Sequence, residues 1–287
     1  ASHTFSDKIE ELARTKPNNV AIYFEDRTLT YRQYNEEANK YARWMQEQGL
    51  GRGDVVALMM ENRPEYLVAW LGIVKAGGTA ALINTNLTKG PLAHCLNISG
   101  ADHLVLGAEL AENFSTASDH LERPMTVWTT GGQVQGANDL DAALAQLPGD
   151  SLPADIRKNV TQDDNALFIY TSGTTGNPKG DVYHHRGAYL NAMSNALTFQ
   201  LNSRSVYLWT LPMFHCNGWT YTWAVTAACG THVCLRRVDP ALIFPMIRDY
   251  AVTHMCGAPI VLTMLIHAPA DQKVEFPQRV EVCTGGA

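Results

Sequence analysis

An alternation of uninterrupted apolar segments with amphipathic segments runs through most of this chain. Apolar runs that predict strands lie at 54–59, 79–83, 103–106, 166–170, 205–209, 232–235, 253–256 and 280–283. The stretches between several of them have the spacing of helices, for example the one that begins at Pro64 and the one over 88–99. Strands that are apolar at successive positions are buried on both faces. The sequence therefore predicts an α/β fold of layered, mostly parallel sheets with helices on both faces.

Two capping boxes mark helices near the N-terminus. Thr4 with Asp7 predicts a helix that Pro17 ends, and Thr30 with Gln33 predicts a second helix that continues to about Gln48. The short apolar run 21–24 between them predicts a strand.

Length and composition set the number of domains and exclude some classes of function. The 287 residues suffice for one large domain or two modest ones. We expect a first α/β subdomain over 1–162 and a second over 163–287. The net charge of −6 argues against a nucleic-acid partner. The six cysteines form no Cys-x-x-Cys pair, and no apolar run is long enough to cross a bilayer. The first residues lack the charged-then-apolar pattern of a signal peptide. We expect a cytoplasmic protein, with peripheral membrane association left open.

The segment between Tyr170 and Gly180 combines hydroxyl side chains, glycines and one lysine directly after the strand predicted at 166–170. Its sequence is Tyr-Thr-Ser-Gly-Thr-Thr-Gly-Asn-Pro-Lys-Gly. Glycines allow a ligand to approach the backbone, and exposed N–H groups with hydroxyls and an ammonium group bind anions such as polyphosphate. The Walker motif needs Gly-Lys-Ser/Thr at its end, whereas Gly176 is followed here by Asn177 and Pro178. A P-loop ATPase or kinase is therefore excluded.

This segment resembles the phosphate loop of the adenylate-forming enzymes, which include the acyl-CoA synthetases. The resemblance implies that ATP is bound by Thr171, Ser172, Gly173, Thr174, Thr175, Gly176 and Lys179. It also implies that Thr174 is a ligand of Mg²⁺.

Two further segments resemble the same family. The segment from Leu211 to Trp219 is similar to the next motif of acyl-CoA synthetases, which implies a catalytic and substrate-binding role for His215 and a pocket role for Trp219. The final Thr-Gly-Gly-Ala resembles the strand end that borders the adenine and the acyl group. Gly285 and Gly286 are thereby implied at the nucleotide, and Gly286 and Ala287 at the acyl substrate.

The resemblance implies a two-step reaction. A small carboxylic acid attacks the α-phosphate of ATP, and the thiol of CoA then takes the acyl group from the acyl-adenylate. The family's Tyr-Gly-x-Thr-Glu motif, its ribose-binding Asp and its C-terminal lid domain with the adenylation lysine are not in this sequence. We therefore expect an N-terminal portion, inactive alone. A homodimer is left open, as are acyl length, an adenylation domain with another acceptor, and a non-catalytic nucleotide- or acyl-binding module.

Asp181 departs from the pattern expected after the phosphate loop. An apolar residue is expected there, because the chain re-enters the sheet at this point. A buried, unpaired carboxylate would be costly. The alternatives are exposure of Asp181 or pairing with His184, His185 or Arg186.

Overall fold

The computed structural model describes residues 4–171 and 177–285, apart from the side chains of Asn217 and Trp219. The strands are β1 (Val20–Phe24), β2 (Arg27–Thr30), β3 (Val55–Met59), β4 (Thr79–Leu82), β5 (His103–Gly107), β6 (Thr126–Thr130), β7 (Asn138–Asp139), β8 (Asn165–Thr171), β9 (Lys179–His184), β10 (Val206–Leu208), β11 (Thr231–Val233), β12 (His254–Gly257) and β13 (Glu281–Thr284). The α-helices are α1 (Phe5–Thr15), α2 (Tyr31–Glu47), α3 (Pro64–Lys75), α4 (Lys89–Ser99), α5 (Ala111–Ser115), α6 (Leu140–Ala145), α7 (Ala154–Asn159), α8 (His185–Thr198), α9 (Cys216–Trp219), α10 (Tyr221–Ala227), α11 (Pro240–Asp249) and α12 (Pro259–Ile266).

The strands form two sheets. One is six-stranded with the order β13-β12-β10-β11-β1-β2, and the other is seven-stranded with the order β7-β6-β5-β3-β4-β8-β9. Strand pairs are parallel except β1–β2 and β8–β9. The predicted fold class, mostly parallel sheets in layers with helices, is confirmed.

Three apolar clusters give the order of the layers. The largest lies between the sheets and contains the buried faces of α1, α2, α3, α8 and α10. A second packs α4 against the outer face of β3, β4 and β5. A third packs α11 against the outer face of β10, β11 and β12. The strands at the centre of each sheet are thus covered on both faces, as their continuous apolar sequences predict.

The predicted helix starts agree with the structure in detail. The Thr4 hydroxyl accepts a hydrogen bond from the Asp7 N–H at 3.2 Å. Thr30 and Gln33 form the complete, reciprocal capping box at the start of α2. Helix α7 lies in a stretch for which the sequence pattern does not predict a helix. Its six residues are too few for a clear helical period.

The strand after the phosphate loop reverses direction. β9 runs antiparallel to β8 and forms the edge of the seven-stranded sheet. Asp181 lies opposite Ile169 in this pair and is exposed, so the cost of a buried carboxylate does not arise. Arg186 pairs with Asp163 instead, at 3.1 Å.

The boundary expected near residue 162 stays a prediction about subdomains. The sheets themselves each take strands from both sides of it, since β1 and β2 join β10–β13, and β8 and β9 join β3–β7. Among the described residues, no helix has the length and apolar character needed to cross a bilayer.

Candidate active site

A cleft of about 940 Å³ opens where strands of both sheets end. Its lining comprises Asn84, Asn86, Leu211, Pro212, Phe214, His215, Ala258, Pro259, Ile260, Cys283, Thr284 and Gly285. These residues follow or end β4, β10, β12 and β13. The carboxyl ends of parallel strands are where open α/β sheets bind ligands. The lining is mostly apolar, with a few polar groups, as in sites for small organic molecules.

The phosphate loop leaves the seven-stranded sheet beside this cleft. β8 is the parallel neighbour of β4, with Ala81 opposite Phe168, so both strands end at the same edge. The segment after β4 supplies Asn84 and Asn86 to the cleft. Residues 172–176, which include five of the predicted ATP-binding positions, lie outside the described residues.

The described residues on either side of the loop are paired with each other. Thr171 lies opposite Lys179 in the β8–β9 ladder, and both are exposed. His94 of α4 approaches the carbonyl oxygen of Pro178 with Nε2 at 3.2 Å. The loop is therefore anchored at both ends, by the ladder and by α4. Sequence analysis missed His94, because nothing in the spacing of α4 indicates which loop it contacts.

His215 lies in the lining of the cleft and is exposed. It immediately precedes α9, and its backbone N–H donates to Pro212 O at 3.3 Å. The predicted association of His215 with a ligand pocket is thus compatible with its place, while its chemical role stays a prediction. The side chain of Trp219 lies outside the described residues.

The loop that carries His215 is tied to the other sheet by Asn62. The Asn62 side chain donates to Leu211 O and accepts from the Met213 N–H at 2.9 Å. Sequence analysis did not identify Asn62 as a site residue. The partner lies about 150 residues away, so no local pattern could reveal this contact.

The same loop rests on a buried indole. Gly218 has a φ of +61°, and a Cβ there would lie 2.1 Å from the Trp209 ring. The third residue of α9 must therefore be glycine. Trp209 is fully buried and packs in the core, as its apolar surroundings in the sequence suggest.

At the other side of the cleft, β13 brings Cys283, Thr284 and Gly285 into the lining. The predicted nucleotide-binding Gly285 therefore lies in the same cleft as His215. The predicted Gly286 and Ala287 lie outside the described residues.

Charges near α9 perturb neighbouring groups. Burial and, to a smaller extent, the Asp181 carboxylate raise the pKa of the Cys216 thiol. Burial raises the pKa of Tyr183 as well, and Asp181 adds to this shift. Within the described ranges, no group of three or more His, Cys, Asp or Glu side chains is arranged to hold a metal ion.

Comparison with known families identifies the class to which this fold and cleft belong. Residues 9–287 match the family model of AMP-binding enzymes. The chain therefore belongs to the AMP-binding enzyme family, which confirms the predicted adenylate-forming class.

Characterised relatives of the chain are named as acyl–CoA ligases. The chain is 32% identical over 296 residues to an acetate–CoA ligase of Humulus lupulus, with 97% of this chain and 52% of the relative covered. It is 31% identical over 287 residues to a 4-hydroxybutyrate–CoA ligase of Metallosphaera sedula, with the same coverage of 97% and 52%. The chain thus spans about half the length of the curated relatives it matches.

A solved structure agrees with the fold over the whole chain. The N-terminal domain of FACL13 from Mycobacterium tuberculosis, crystallised with an inhibitor, superposes with a TM-score of 0.89 at 27% identity. The match covers 100% of this chain and 70% of that domain.

Proposed function

We propose that the protein is an ATP-dependent acyl-CoA synthetase. It activates a small carboxylic acid as the acyl-adenylate, with release of pyrophosphate, and then transfers the acyl group to the thiol of CoA. The supporting observation is the cleft itself, in which the segments around His215 and Gly285 meet next to the strand that leads into the phosphate loop.

Each part of the site has a proposed role. Lys179 and the hydroxyl and glycine positions 171–176 hold the phosphates of ATP, since charge-assisted bonds of this type are about twice as strong as neutral ones. His215 orients the carboxylate against the α-phosphate. The apolar lining around Phe214 and Ile260 receives the acyl chain. Catalysis of the first step then comes mainly from positioning and charge stabilisation.

Mg²⁺ would accompany ATP in this reaction and reduce the charge on its phosphates. Thr174 is the ligand that we propose for it in this chain. We propose further that residues 1–287 alone have little turnover, because the family's Mg²⁺-binding glutamate, ribose-binding Asp and adenylation lysine are not in this sequence.

The proposal is tested by product analysis. The complete protein is incubated with ATP, Mg²⁺, CoA and a panel that includes acetate, butyrate, 4-hydroxybutyrate and cinnamate, and acyl-CoA and AMP are measured by mass spectrometry. We expect equimolar acyl-CoA and AMP with at least one acid. ATP hydrolysis to ADP, or no thioester with any acid, would contradict the proposal.

A further inference from the structure

We propose that Asn62 is a positioning residue that sets the fit of the acyl group in the cleft. The inference rests on the proposed function. Asn62 follows β3 of the seven-stranded sheet, whereas the loop it contacts follows β10 of the six-stranded sheet. The Asn62 side chain therefore fixes the distance between the segment after β3 and the loop after β10.

The contact consists of two complementary hydrogen bonds to one short loop. Nδ2 of Asn62 donates to the carbonyl oxygen of Leu211, and Oδ1 accepts from the N–H of Met213 at 2.9 Å. Pro212, which lies between Leu211 and Met213, has no backbone N–H to donate. The side chains of Leu211 and Met213 are buried, at 4% and 0% exposure. An amide side chain is the group that can donate to one backbone group and accept from the next in this way.

The neighbours of Asn62 in the chain are themselves fixed by hydrogen bonds. The N–H of Glu61 donates to Glu109 Oε1 at 3.0 Å, and Arg63 Nη2 donates to Glu109 Oε2 at 3.2 Å. Arg63 Nη2 also donates to the carbonyl oxygen of Thr130 at 2.8 Å. The segment 61–63 is thus fixed to Glu109, which follows β5, and to Thr130 of β6, and Asn62 connects this fixed segment to the loop.

The loop that Asn62 holds presents Leu211, Pro212, Phe214 and His215 to the cleft. The phosphate loop is anchored separately, through the Thr171–Lys179 pair and His94. A change at Asn62 should therefore weaken recognition of the acyl part of a ligand and leave recognition of the nucleotide part nearly unchanged.

Hydrogen exchange of the 287-residue chain tests the positioning directly. Asn62→Ala removes the acceptor of the Met213 N–H, so at pH 8 we expect the protection factor of the Met213 amide to fall about tenfold or more, the equivalent of one lost hydrogen bond. Asn62→Asp keeps an oxygen that accepts from the Met213 N–H and loses only the donor to Leu211 O, so its loss of protection at Met213 should be smaller. Equal protection in wild type and both variants would overturn the proposal.

Asn97 provides a matched control. Its side chain makes the same kind of double contact remote from the cleft, donating to His120 O at 3.4 Å and accepting from the Glu122 N–H at 3.0 Å. Asn97→Ala should leave protection at Met213 unchanged. A loss there equal to that of Asn62→Ala would show a general effect of removing an amide side chain and overturn the assignment.

Ligand affinities test the functional consequence. Affinities for AMP and for acetyl-, butanoyl-, octanoyl- and cinnamoyl-sulfamoyl-adenosine are measured for wild type, Asn62→Ala and Asn97→Ala. We expect Asn62→Ala to lose about tenfold in affinity for the acyl analogue that wild type prefers and less than twofold for AMP. Equal losses for both ligands would contradict a positioning role. Failure of wild type to bind any acyl analogue would count against the proposed function, while the exchange data would still decide whether Asn62 holds the loop.

Discussion

Trp209 donates a hydrogen bond from Nε1 to Nδ1 of His232 at 3.0 Å, and the two rings are nearly coplanar, with an interplanar angle of 12°. This bond makes Nδ1 the acceptor, so Nε2 carries the proton and donates to the Thr226 hydroxyl at 2.8 Å. Thr226 donates onward to Thr222 O. Burial lowers the pKa of His232 to about 3, which agrees with a neutral ring. The indole under the His215 loop therefore has a fixed position.

The first prediction concerns Gly218, which packs on that indole. Gly218→Ala would place a Cβ against the Trp209 ring at a φ of +61°. We expect a loss of about 2–4 kcal/mol in the free energy of unfolding from overpacking and backbone strain together. Urea unfolding measures it. Gly51→Ala is the control, since a Cβ there meets nothing within 4 Å. A loss of less than 1 kcal/mol for Gly218→Ala would contradict this packing.

The second prediction concerns acid sensitivity. His185 is fully buried, and neither ring nitrogen has a hydrogen-bond partner among the described residues. Burial lowers its pKa to about 4. In the unfolded chain it titrates near 6.5. Between these values the unfolded state binds the proton and the folded state does not, so stability falls as the pH falls from 6.5 to about 4.

His185→Phe removes this titration and keeps an aromatic ring beside Phe5, whose ring centroid lies 5.4 Å away. In this window we expect the free energy of unfolding of the wild type to fall more steeply with pH than that of the variant. The difference between the two slopes should be about 1.4 kcal/mol per pH unit. The difference between the two proteins at pH 8, where the ring is neutral in both states, gives the packing contribution alone. Parallel pH profiles for wild type and variant would show that His185 is charged or solvated in the folded protein.

The third prediction concerns the charge at Asp181. Its carboxylate contributes to the raised pKa of the Cys216 thiol, next to His215. Asp181→Asn removes that charge, so the thiolate fraction at pH 8 should increase and alkylation of Cys216 by iodoacetamide should accelerate about twofold. Peptide mass spectrometry follows Cys216 separately from the other cysteines. Asp181→Glu is the control that retains the charge, and an equal rate in all three proteins would contradict the interaction.

The spacing of apolar residues predicted most of the strands and helices, because the two kinds of element differ clearly in that spacing. The capping box of Thr30 and Gln33 and the N-cap bond between Thr4 and Asp7 needed only neighbouring residues. Re-entry of the chain into the sheet at Asp181 was expected, but its direction was not, since Lys179–His184 has no feature that distinguishes an antiparallel edge strand from a parallel one.

The composition of the site was predicted in part. The family-like segments around His215 and Gly285 do line one cleft. The contacts that hold them, from Asn62 to Met213 and from His94 to Pro178, join residues 151 and 84 positions apart. The first pair depends on how the two sheets stack, and the second on how α4 packs against its own sheet. Periodicity within one element carries no information about either.

Acid-dependent formation of the acyl-adenylate at the phosphate loop is the first step of the proposed reaction. Exchange of radiolabelled pyrophosphate into ATP measures this first step without CoA. The complete protein should exchange pyrophosphate when the preferred carboxylic acid is present, and Lys179→Ala should reduce the rate at least tenfold, as expected for loss of a charge-assisted phosphate contact. Residues 1–287 alone should give little or no exchange. Absence of exchange by the complete protein across the acid panel, or exchange that Lys179→Ala does not change, would contradict the account.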